Sequence, residues 1–326
     1  MPDLPPSLCY YPDSRPGIRR RRCGRGFSYL DTDGTRIDAA AERARLKALA
    51  VPPAWEDVWI SPLKNGHLIA TGQDTKARKQ YRYHAEWTAL QAAQKFSELT
   101  AFAAALPAIR RRIRRDLAEE PGEEAFAVAA AAAMIDRLSL RVGNPEYTRQ
   151  NGSFGALTLR GRHVRLADGR LNISYTGKGG KRVRRQLADS RLMKALERIR
   201  DLPGAELLTW LDEEGAPRRV TSESLNAYLA EASGIEGLTA KTFRTWSGSV
   251  AAFGVALDMQ RPTIKAMAEA ASERLHNTPA IARSSYIHPD VLALAKKGRP
   301  LPGPSGQREL TVTEQRLEAF LKSLES

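Results

Sequence analysis

The chain has 326 residues, which suggests two domains at about 150 residues each. Lysine and arginine number 51 against 37 aspartate and glutamate, giving a formal net charge of +14, and 42% of the residues are hydrophobic. This composition excludes wholesale disorder, and the two cysteines, Cys9 and Cys23, exclude a disulfide framework or a four-cysteine zinc site. No apolar run reaches the ~18 residues of a membrane span, and the N-terminus lacks a secretory pattern. We therefore expect a soluble cytoplasmic protein with a polyanionic partner, nucleic acid being the first candidate.

The N-terminal segment, residues 1–26, is strongly basic. Six arginines and no acidic residue lie between Arg15 and Arg25. Two interpretations remain open. The segment is either a solvated tail, which is the common fate of such runs, or an extended mobile segment that lies along phosphates.

Residues 27–119 are predicted to form a small, antiparallel, β-rich domain with helices. Alternating patterns predict strands in FSYLD, VWISP, HLIAT and RKQYRYH, with a hairpin at Asn65-Gly66. An amphipathic helix is predicted over Thr88–Ala105, interrupted by Pro107 and followed by a second helix. The arginines of this second helix are expected to face solvent and attract phosphates: Arg110, Arg111, Arg112, Arg114 and Arg115.

Residues 120–298 are predicted to form a larger, mostly α domain with a three-stranded sheet, so the fold class is α+β. Strands are predicted in ALTL, LNISY and RVRRQL. Helices are predicted over Glu123–Arg141 and near 190–200, 222–233, 240–257, 262–274 and 279–285. The predicted N-caps are Asp189, Thr221 and Thr239, and the predicted C-cap is Gly234. Residues 299–326 are interpreted as a linker and a short helical tail.

Several motifs of cofactor chemistry are missing from the sequence. It has no GxxxxGKS/T phosphate loop and no GxGxxG after a strand, so nucleotide hydrolysis and dinucleotide chemistry have no support. The five histidines are scattered, and the acidic clusters are adjacent in sequence rather than convergent. We therefore expect neither a cofactor nor a metal.

The second half of the chain concentrates residues suited to phosphodiester chemistry. Such a reaction without a metal needs cations for the charge on phosphate, a nucleophile, and an acid for the leaving oxygen. Taken singly, each candidate also has an ordinary structural explanation, such as a helix-end arginine or a packed tyrosine. The candidates are Arg141 in RVGNPEY, Lys178 in TGKGG, Arg244 in KTFRTW, and Asn277 and Tyr286 in NTPAIARSSY.

The order of these motifs resembles that of the compact type IB DNA topoisomerases of poxviruses and bacteria. The N-terminal sequences PPAWEDVWI, GHLIATGQD and RKQYRYH are similar to the N-terminal domain of the bacterial members. The resemblance implies a catalytic fold related to that of tyrosine recombinases. It assigns Tyr286 as the nucleophile and Lys178 as the general acid. Arg141, Arg244 and Asn277 would bind the non-bridging phosphate oxygens, with Asn277 where the poxvirus and eukaryotic enzymes have a histidine.

The resemblance also implies DNA contacts from Gln80, Tyr81, Tyr83 and Tyr147. One face of the strand in RKQYRYH is expected to pack and the other to face DNA. The implied protein is a monomer that clamps supercoiled duplex DNA and works in the cytoplasm at the nucleoid, without a membrane or small-molecule cofactor.

The implied reaction is ATP- and metal-independent. It nicks one strand through a 3′-phosphotyrosyl intermediate, relaxes supercoils by strand rotation, and religates. Two alternatives remain at this point. One is a tyrosine recombinase or integrase, whose HxxR motif would correspond to Lys241–Arg244. The other is a non-enzymatic basic nucleic-acid-binding protein, which the composition alone permits.

Overall fold

The computed structural model describes residues 4–296 and 301–325, and confirms the α+β class. It divides the chain into two compact units, unit 1 (Met1–Gln94) and unit 2 (Lys95–Ser326). The boundary predicted near residue 119 differs from this division, because side chains such as Leu99 and Phe102 already belong to the hydrophobic core of unit 2. None of the helices described is both long and apolar enough to cross a lipid bilayer.

Unit 1 is built on a five-stranded antiparallel sheet with the strand order β2-β1-β3-β4-β5. Ile18, Ile60 and Ala70 contribute to its small core. The predicted hairpin at Asn65-Gly66 is confirmed, because β3 and β4 pair antiparallel across it. The elements that start in unit 1 are β1 (Ile18–Cys23), β2 (Gly26–Leu30), α1 (Ala40–Ala48), β3 (Glu56–Ile60), β4 (Leu68–Gln73), β5 (Lys79–Tyr83) and α2 (Ala85–Asp116).

The basic segment near the N-terminus is neither a solvated tail nor a mobile arm. Its central residues form β1, which pairs with β2 on one side and β3 on the other. Ile18 is buried, and the guanidinium group of Arg20 donates hydrogen bonds to the carbonyl oxygens of Val51, Pro52 and Trp55. Cross-strand pairing therefore outweighs the repulsion between neighbouring arginines.

Unit 2 is mostly helical and carries two small sheets. The predicted three-stranded antiparallel sheet is present as β6-β7-β8. A short hairpin, β9-β10, forms the second sheet. The remaining elements are α3 (Glu124–Leu138), α4 (Pro145–Asn151), β6 (Val164–Ala167), β7 (Arg170–Thr176), β8 (Arg182–Leu187), α5 (Ser190–Arg200), β9 (Thr209–Leu211), β10 (Pro217–Arg219), α6 (Ser222–Ser233), α7 (Lys241–Asp258), α8 (Ile264–Leu275), α9 (Pro279–Ser285), α10 (Pro289–Ala293) and α11 (Val312–Glu325).

Several local predictions for unit 2 were wrong. Pro107 lies inside the continuous helix α2, where the burial of Leu106 and Ile109 compensates for the hydrogen bond that proline cannot make. ALTL forms a 3-10 turn at Ala156–Thr158 instead of a strand, and the first strand of the sheet is β6.

The helix caps of unit 2 show which of the predictions from short stretches of sequence are correct. The predicted caps Asp189, Thr221 and Gly234 are confirmed. Thr239 is not the N-cap of α7, because Ala240 takes that position without a side-chain hydrogen bond. Helix α3 ends at Leu138, before the predicted Arg141, because Ser139 adopts a left-handed conformation with φ 53°.

The arginines at the end of α2 do not form the free positive face that was predicted. Arg110 is buried and bonds the carboxylates of Asp136 and Glu314. Carboxylates also pair with three of its neighbours: Arg112 with Asp116 and Glu231, Arg114 with Glu309, and Arg115 with Asp116. Arg110, Arg112 and Arg114 therefore tie α2 to other parts of unit 2, while Arg115 pairs within α2. This pairing neutralises most of these charges for a DNA partner.

The C-terminal tail is a structural part of unit 2. Its helix, α11, is confirmed, but Leu317, Phe320 and Leu321 are buried in the main core instead of lying on a free segment. The Phe320 ring packs against the Phe253 ring of α7 at 5.4 Å between centroids. The predicted linker begins in residues outside those described.

Candidate active site

Tyr286 terminates α9, and its main chain lies directly against α7. Thr278 caps α9 by accepting a hydrogen bond from the Ile281 amide, and Pro279 starts the helix. The absence of a side chain at Gly248 permits this contact, since a Cβ there would lie 2.6 Å from the carbonyl oxygen of Tyr286. Ser249 Oγ donates to the same oxygen at 3.3 Å. Helix α7 therefore fixes the backbone of the candidate nucleophile.

Arg244 lies one turn before Gly248 on α7 and is 4% exposed. Its terminal nitrogens donate to the carbonyl oxygens of Ser139 and Leu275, and its guanidinium carbon lies 5.2 Å from the centroid of the Tyr286 ring. Its buried Nε has no partner among the described residues. Burial, and then the charge of Arg141, lower the pKa of Arg244, while the interaction with Tyr286 opposes them. The structure thus brings an arginine with a free donor to Tyr286.

Arg141 lies in an extended loop after α3 that packs on the 3-10 turn at Ala156–Thr158. Arg141 and Val142 accept hydrogen bonds from the amides of Ala156 and Leu157, both at 2.8 Å. Gly143 has φ 97°, and a Cβ at Gly155 would lie 2.5 Å from the Gly143 nitrogen, so both positions of this close contact require glycine. The Arg141 side chain is half-buried, and its charge lowers the pKa of Arg244. Arg141 and Arg244 therefore belong to one electrostatic cluster.

Asn277 has a buried side-chain amide whose oxygen and nitrogen both lack a partner among the described residues. Buried polar groups are normally satisfied, so this amide is available to hydrogen-bond a bound group. The adjacent His276 is engaged elsewhere, since its Nε2 lies 3.0 Å from the carbonyl oxygen of Arg184. Burial is the main cause that lowers the pKa of His276.

Lys178 lies in the exposed turn between β7 and β8, as predicted. Within the described part of the chain, no hydrogen bond or ion pair joins it to the other four candidates. The structure therefore gathers Arg141, Arg244 and Tyr286, places the free amide of Asn277 after α8, and leaves Lys178 on an accessible turn.

Two residues that the sequence reasoning missed border the arginine cluster. Burial is the main cause that raises the pKa of Tyr175, and the charges of Arg141, Arg244 and Arg185 lower it. Burial, and then Arg274, lower the pKa of Arg185 to about 10. The register of the sheet pairs Arg185 with Ile173, on the same face as Tyr175. The alternation of residues along a strand predicts only which side chains share a face within that strand. It places Arg185 and Tyr175 on the same face only when the pairing register of β7 and β8 is known.

The candidate DNA-contact residues of unit 1 lie on β5, an edge strand of the sheet. Tyr81 and Tyr83 are 49% and 42% exposed, and their rings stack with centroids 6.1 Å apart. Gln80 is half-buried and donates to Asp74 at 3.0 Å. The expectation of one packed face was wrong, because the side chains on both faces of β5 are exposed or half-buried.

Tyr147, the fourth candidate DNA contact, is 51% exposed in α4 of unit 2. The neighbouring Asn144 caps this helix by accepting hydrogen bonds from the amides of Glu146 and Tyr147. The cap explains why a short polar side chain suits this position. No group of three or more histidine, cysteine or acidic side chains suited to a metal occurs among residues 4–296 and 301–325.

Comparison with known proteins identifies the class to which this fold and site belong. Residues 84–281 match the family described as eukaryotic DNA topoisomerase I, catalytic core. Residues 26–74 match the bacterial DNA topoisomerase IB N-terminal domain. Because the first match spans more than half of the chain, this protein belongs to the type IB DNA topoisomerase family, and DNA is its substrate. The match includes Arg141, Lys178, Arg244 and Asn277 and ends before Tyr286.

Curated relatives agree with this family. The DNA topoisomerase 1B of Acanthamoeba polyphaga mimivirus is 28% identical over 83% of this chain and 85% of its own length. The DNA topoisomerase 1B of vaccinia virus is 22% identical over 74% of this chain and 76% of its own. Among solved structures, the XerH site-specific recombinase bound to its difH substrate matches at 17% identity and a TM-score of 0.37, over 69% of this chain and 58% of that one.

Proposed function

We propose that this topoisomerase cleaves one DNA strand with Tyr286 as its nucleophile. The observation that carries the proposal is the contact of Arg244 with Tyr286: the Arg244 guanidinium lies 5.2 Å from the tyrosine ring and has a free buried Nε. The buried Asn277 amide, nine residues before Tyr286 in the chain, offers a second donor without a partner among the described residues. These donors suit the non-bridging oxygens of a phosphate, and Arg141 adds positive charge beside them. A site with unpaired donors and a phenol fits a phosphodiester substrate.

The reaction follows from these groups. Tyr286 Oη gives up its proton to solvent and attacks the scissile phosphorus, a phosphotyrosyl bond to the 3′ end forms, and the bond from phosphorus to the 5′ oxygen breaks. Lys178 gives a proton to the departing 5′ oxygen, a role for which an exposed turn leaves the side chain free to move. The phosphotyrosyl bond retains the energy of the broken bond, so religation by the 5′-hydroxyl needs neither ATP nor metal. Rotation between the two steps relaxes supercoils.

We further propose that the protein acts as a monomer that clamps supercoiled duplex DNA. Support comes from exposed candidate contacts in each unit, Tyr81 and Tyr83 in unit 1 and Tyr147 in unit 2, with the half-buried Gln80 next to Tyr81 on β5. The net charge of +14 attracts the DNA backbone. This role corresponds to a cytoplasmic protein at the nucleoid.

Relaxation of supercoiled plasmid in excess EDTA and without ATP tests the proposal. The wild-type protein is expected to produce stepwise relaxation and a covalent protein–DNA adduct, and Tyr286→Phe to produce neither while still binding DNA. Activity that survives Tyr286→Phe, or a strict requirement for added metal, would contradict it. Products that require a defined pair of sites would indicate a recombinase instead, and band retardation alone a non-enzymatic binding protein.

A further inference from the structure

Lys95, a residue outside the predicted constellation, holds the main chain beside Tyr286. Its Nζ donates to the carbonyl oxygen of Ser285 at 2.6 Å. Ser285 is the last residue of α9 and immediately precedes Tyr286. The backbone is thus held on both sides of the candidate nucleophile, by Lys95 at Ser285 and by Gly248 and Ser249 at Tyr286.

The half-buried side chain of Lys95 has an aromatic and a cationic neighbour. Its Nζ lies 4.1 Å from the centroid of the Phe96 ring, and that ring packs edge-on against His288 at 5.4 Å. Burial, and then the charge of Lys241 on α7, lower the pKa of Lys95 to about 8. Burial is the main cause that lowers the pKa of His288, which lies 3.5 Å from Asp290. Between pH 7 and 9 Lys95 therefore changes its charge while His288 stays neutral.

We infer that Lys95 is a positioning residue for DNA cleavage, which aligns Tyr286 Oη for attack by holding the Ser285 carbonyl group. A charged donor makes a hydrogen bond about twice as strong as a neutral one, so loss of the proton loosens this hold. Displacement of a reacting group by about 1 Å can reduce a rate by about 10²-fold. The inference rests on the proposed role of Tyr286.

Single-turnover formation of the covalent adduct on an end-labelled duplex oligonucleotide tests the inference. Lys95→Met keeps the side-chain length but removes the donor, and is expected to slow adduct formation at pH 7 by about tenfold or more with unchanged DNA affinity. Lys95→Arg keeps a charged donor and should restore most of the rate. Lys265→Met, on the exposed face of α8 with its side chain 85% exposed, is the matched control and should behave as wild type.

The pH dependence separates positioning from a merely structural role. The ratio of the wild-type rate to the Lys95→Arg rate is expected to fall through an inflection near pH 8, because only the wild-type lysine loses its charge there. Titrations that both proteins share cancel in this ratio. If Lys95→Met does not fold, the ratio of the wild-type rate to the Lys95→Arg rate still tests the inference.

Two results would overturn the inference: a wild-type rate in folded Lys95→Met, or a ratio that does not change with pH. Failure of the proposed function looks different, since the wild-type protein would then form no adduct, or the adduct would survive Tyr286→Phe. An adduct that depends on Tyr286 but is indifferent to Lys95 contradicts only the positioning role.

Discussion

At the scale of single residues, the neutral amide of Asn277 is the most informative feature of the site. Its buried oxygen and nitrogen have no partner among the described residues, and it carries no charge to titrate near neutral pH. An amide nitrogen here can donate to a phosphate oxygen, whereas a carboxylate of the same shape would repel it. We therefore expect the proposed function of this position to depend on the hydrogen-bond donor and not on the volume of the side chain.

Asn277→Ala is expected to slow adduct formation by roughly tenfold, about the value of one hydrogen bond to a charged group. Asn277→Asp should slow it further, because the isosteric carboxylate adds repulsion. Single-turnover rates with labelled duplex DNA measure both changes. An aspartate variant faster than the alanine variant would show that the amide does not face phosphate.

Gly248 controls the position of Tyr286 by having no side chain. In Gly248→Ala the new Cβ would lie 2.6 Å from the Tyr286 carbonyl oxygen and 3.0 Å from the Tyr286 Cβ, so the backbone of the proposed nucleophile must shift. We expect about a 10²-fold loss of cleavage rate. Gly254→Ala in the same helix is the control, since its Cβ meets only Thr313 Cγ2 at 3.9 Å. It should keep full activity and gain about 0.5–1 kcal/mol in free energy of unfolding.

At the scale of elements, α11 supports the helix that carries Arg244. Glu314 of α11 accepts hydrogen bonds from Trp246 Nε1 at 3.1 Å and from Arg110. Burial alone would raise the pKa of Glu314, but the hydrogen bonds and charge of Arg110 outweigh it and hold the pKa at about 2. This depressed pKa stabilises the folded state above about pH 4.5, and the stabilisation is lost as pH falls towards 2.

Glu314→Gln is expected to lower the free energy of unfolding at pH 7 by about 3 kcal/mol, because it breaks a buried ion pair. Its stability should also fall less steeply than that of the wild type between about pH 4.5 and 2. Denaturant unfolding followed by circular dichroism over this pH range measures both effects. Glu325→Gln, at the exposed end of α11, is the control, and equal stability of the two variants would show that the network contributes nothing.

At the scale of the whole molecule, the positive side chains behind the net charge of +14 are not equally available to bind DNA. Most of the arginines at the end of α2 are paired with carboxylates, whereas Arg19 and Arg21 on β1 are exposed on one face of that strand. Free cations release counterions from DNA, and cations already paired do so less. The exposed arginines of β1 are therefore better candidates for binding phosphates than those of α2.

The double variant Arg19→Gln/Arg21→Gln should reduce the slope of log affinity against log salt by about 0.9 for each phosphate that the protein no longer neutralises. Fluorescence anisotropy with a labelled duplex at several salt concentrations measures this slope. Arg36→Gln, whose partner Asp38 lies 3.0 Å away, is the control and should leave the slope unchanged. An unchanged slope in the double variant would show that other cations bind the phosphates.

The sequence by itself determined the family, the α+β class and most element positions. Short motifs such as RVGNPEY and NTPAIARSSY specify the local backbone conformation and the side-chain chemistry, and the structure retains both almost unchanged. Caps such as Asp189 and Gly234 were predictable for the same reason, because each depends on a few neighbouring residues.

Only the tertiary structure decided which charges are free and what holds Tyr286. Arg110 looked exposed in the sequence but is buried, because its partners Asp136 and Glu314 are distant along the chain. Lys95 gave no sequence signal, since its acceptor is a main-chain oxygen 190 residues away. Pairing between distant residues depends on packing geometry, and local patterns carry no information about it. The sequence thus indicated the chemistry, while the fold determined which of its charges are available.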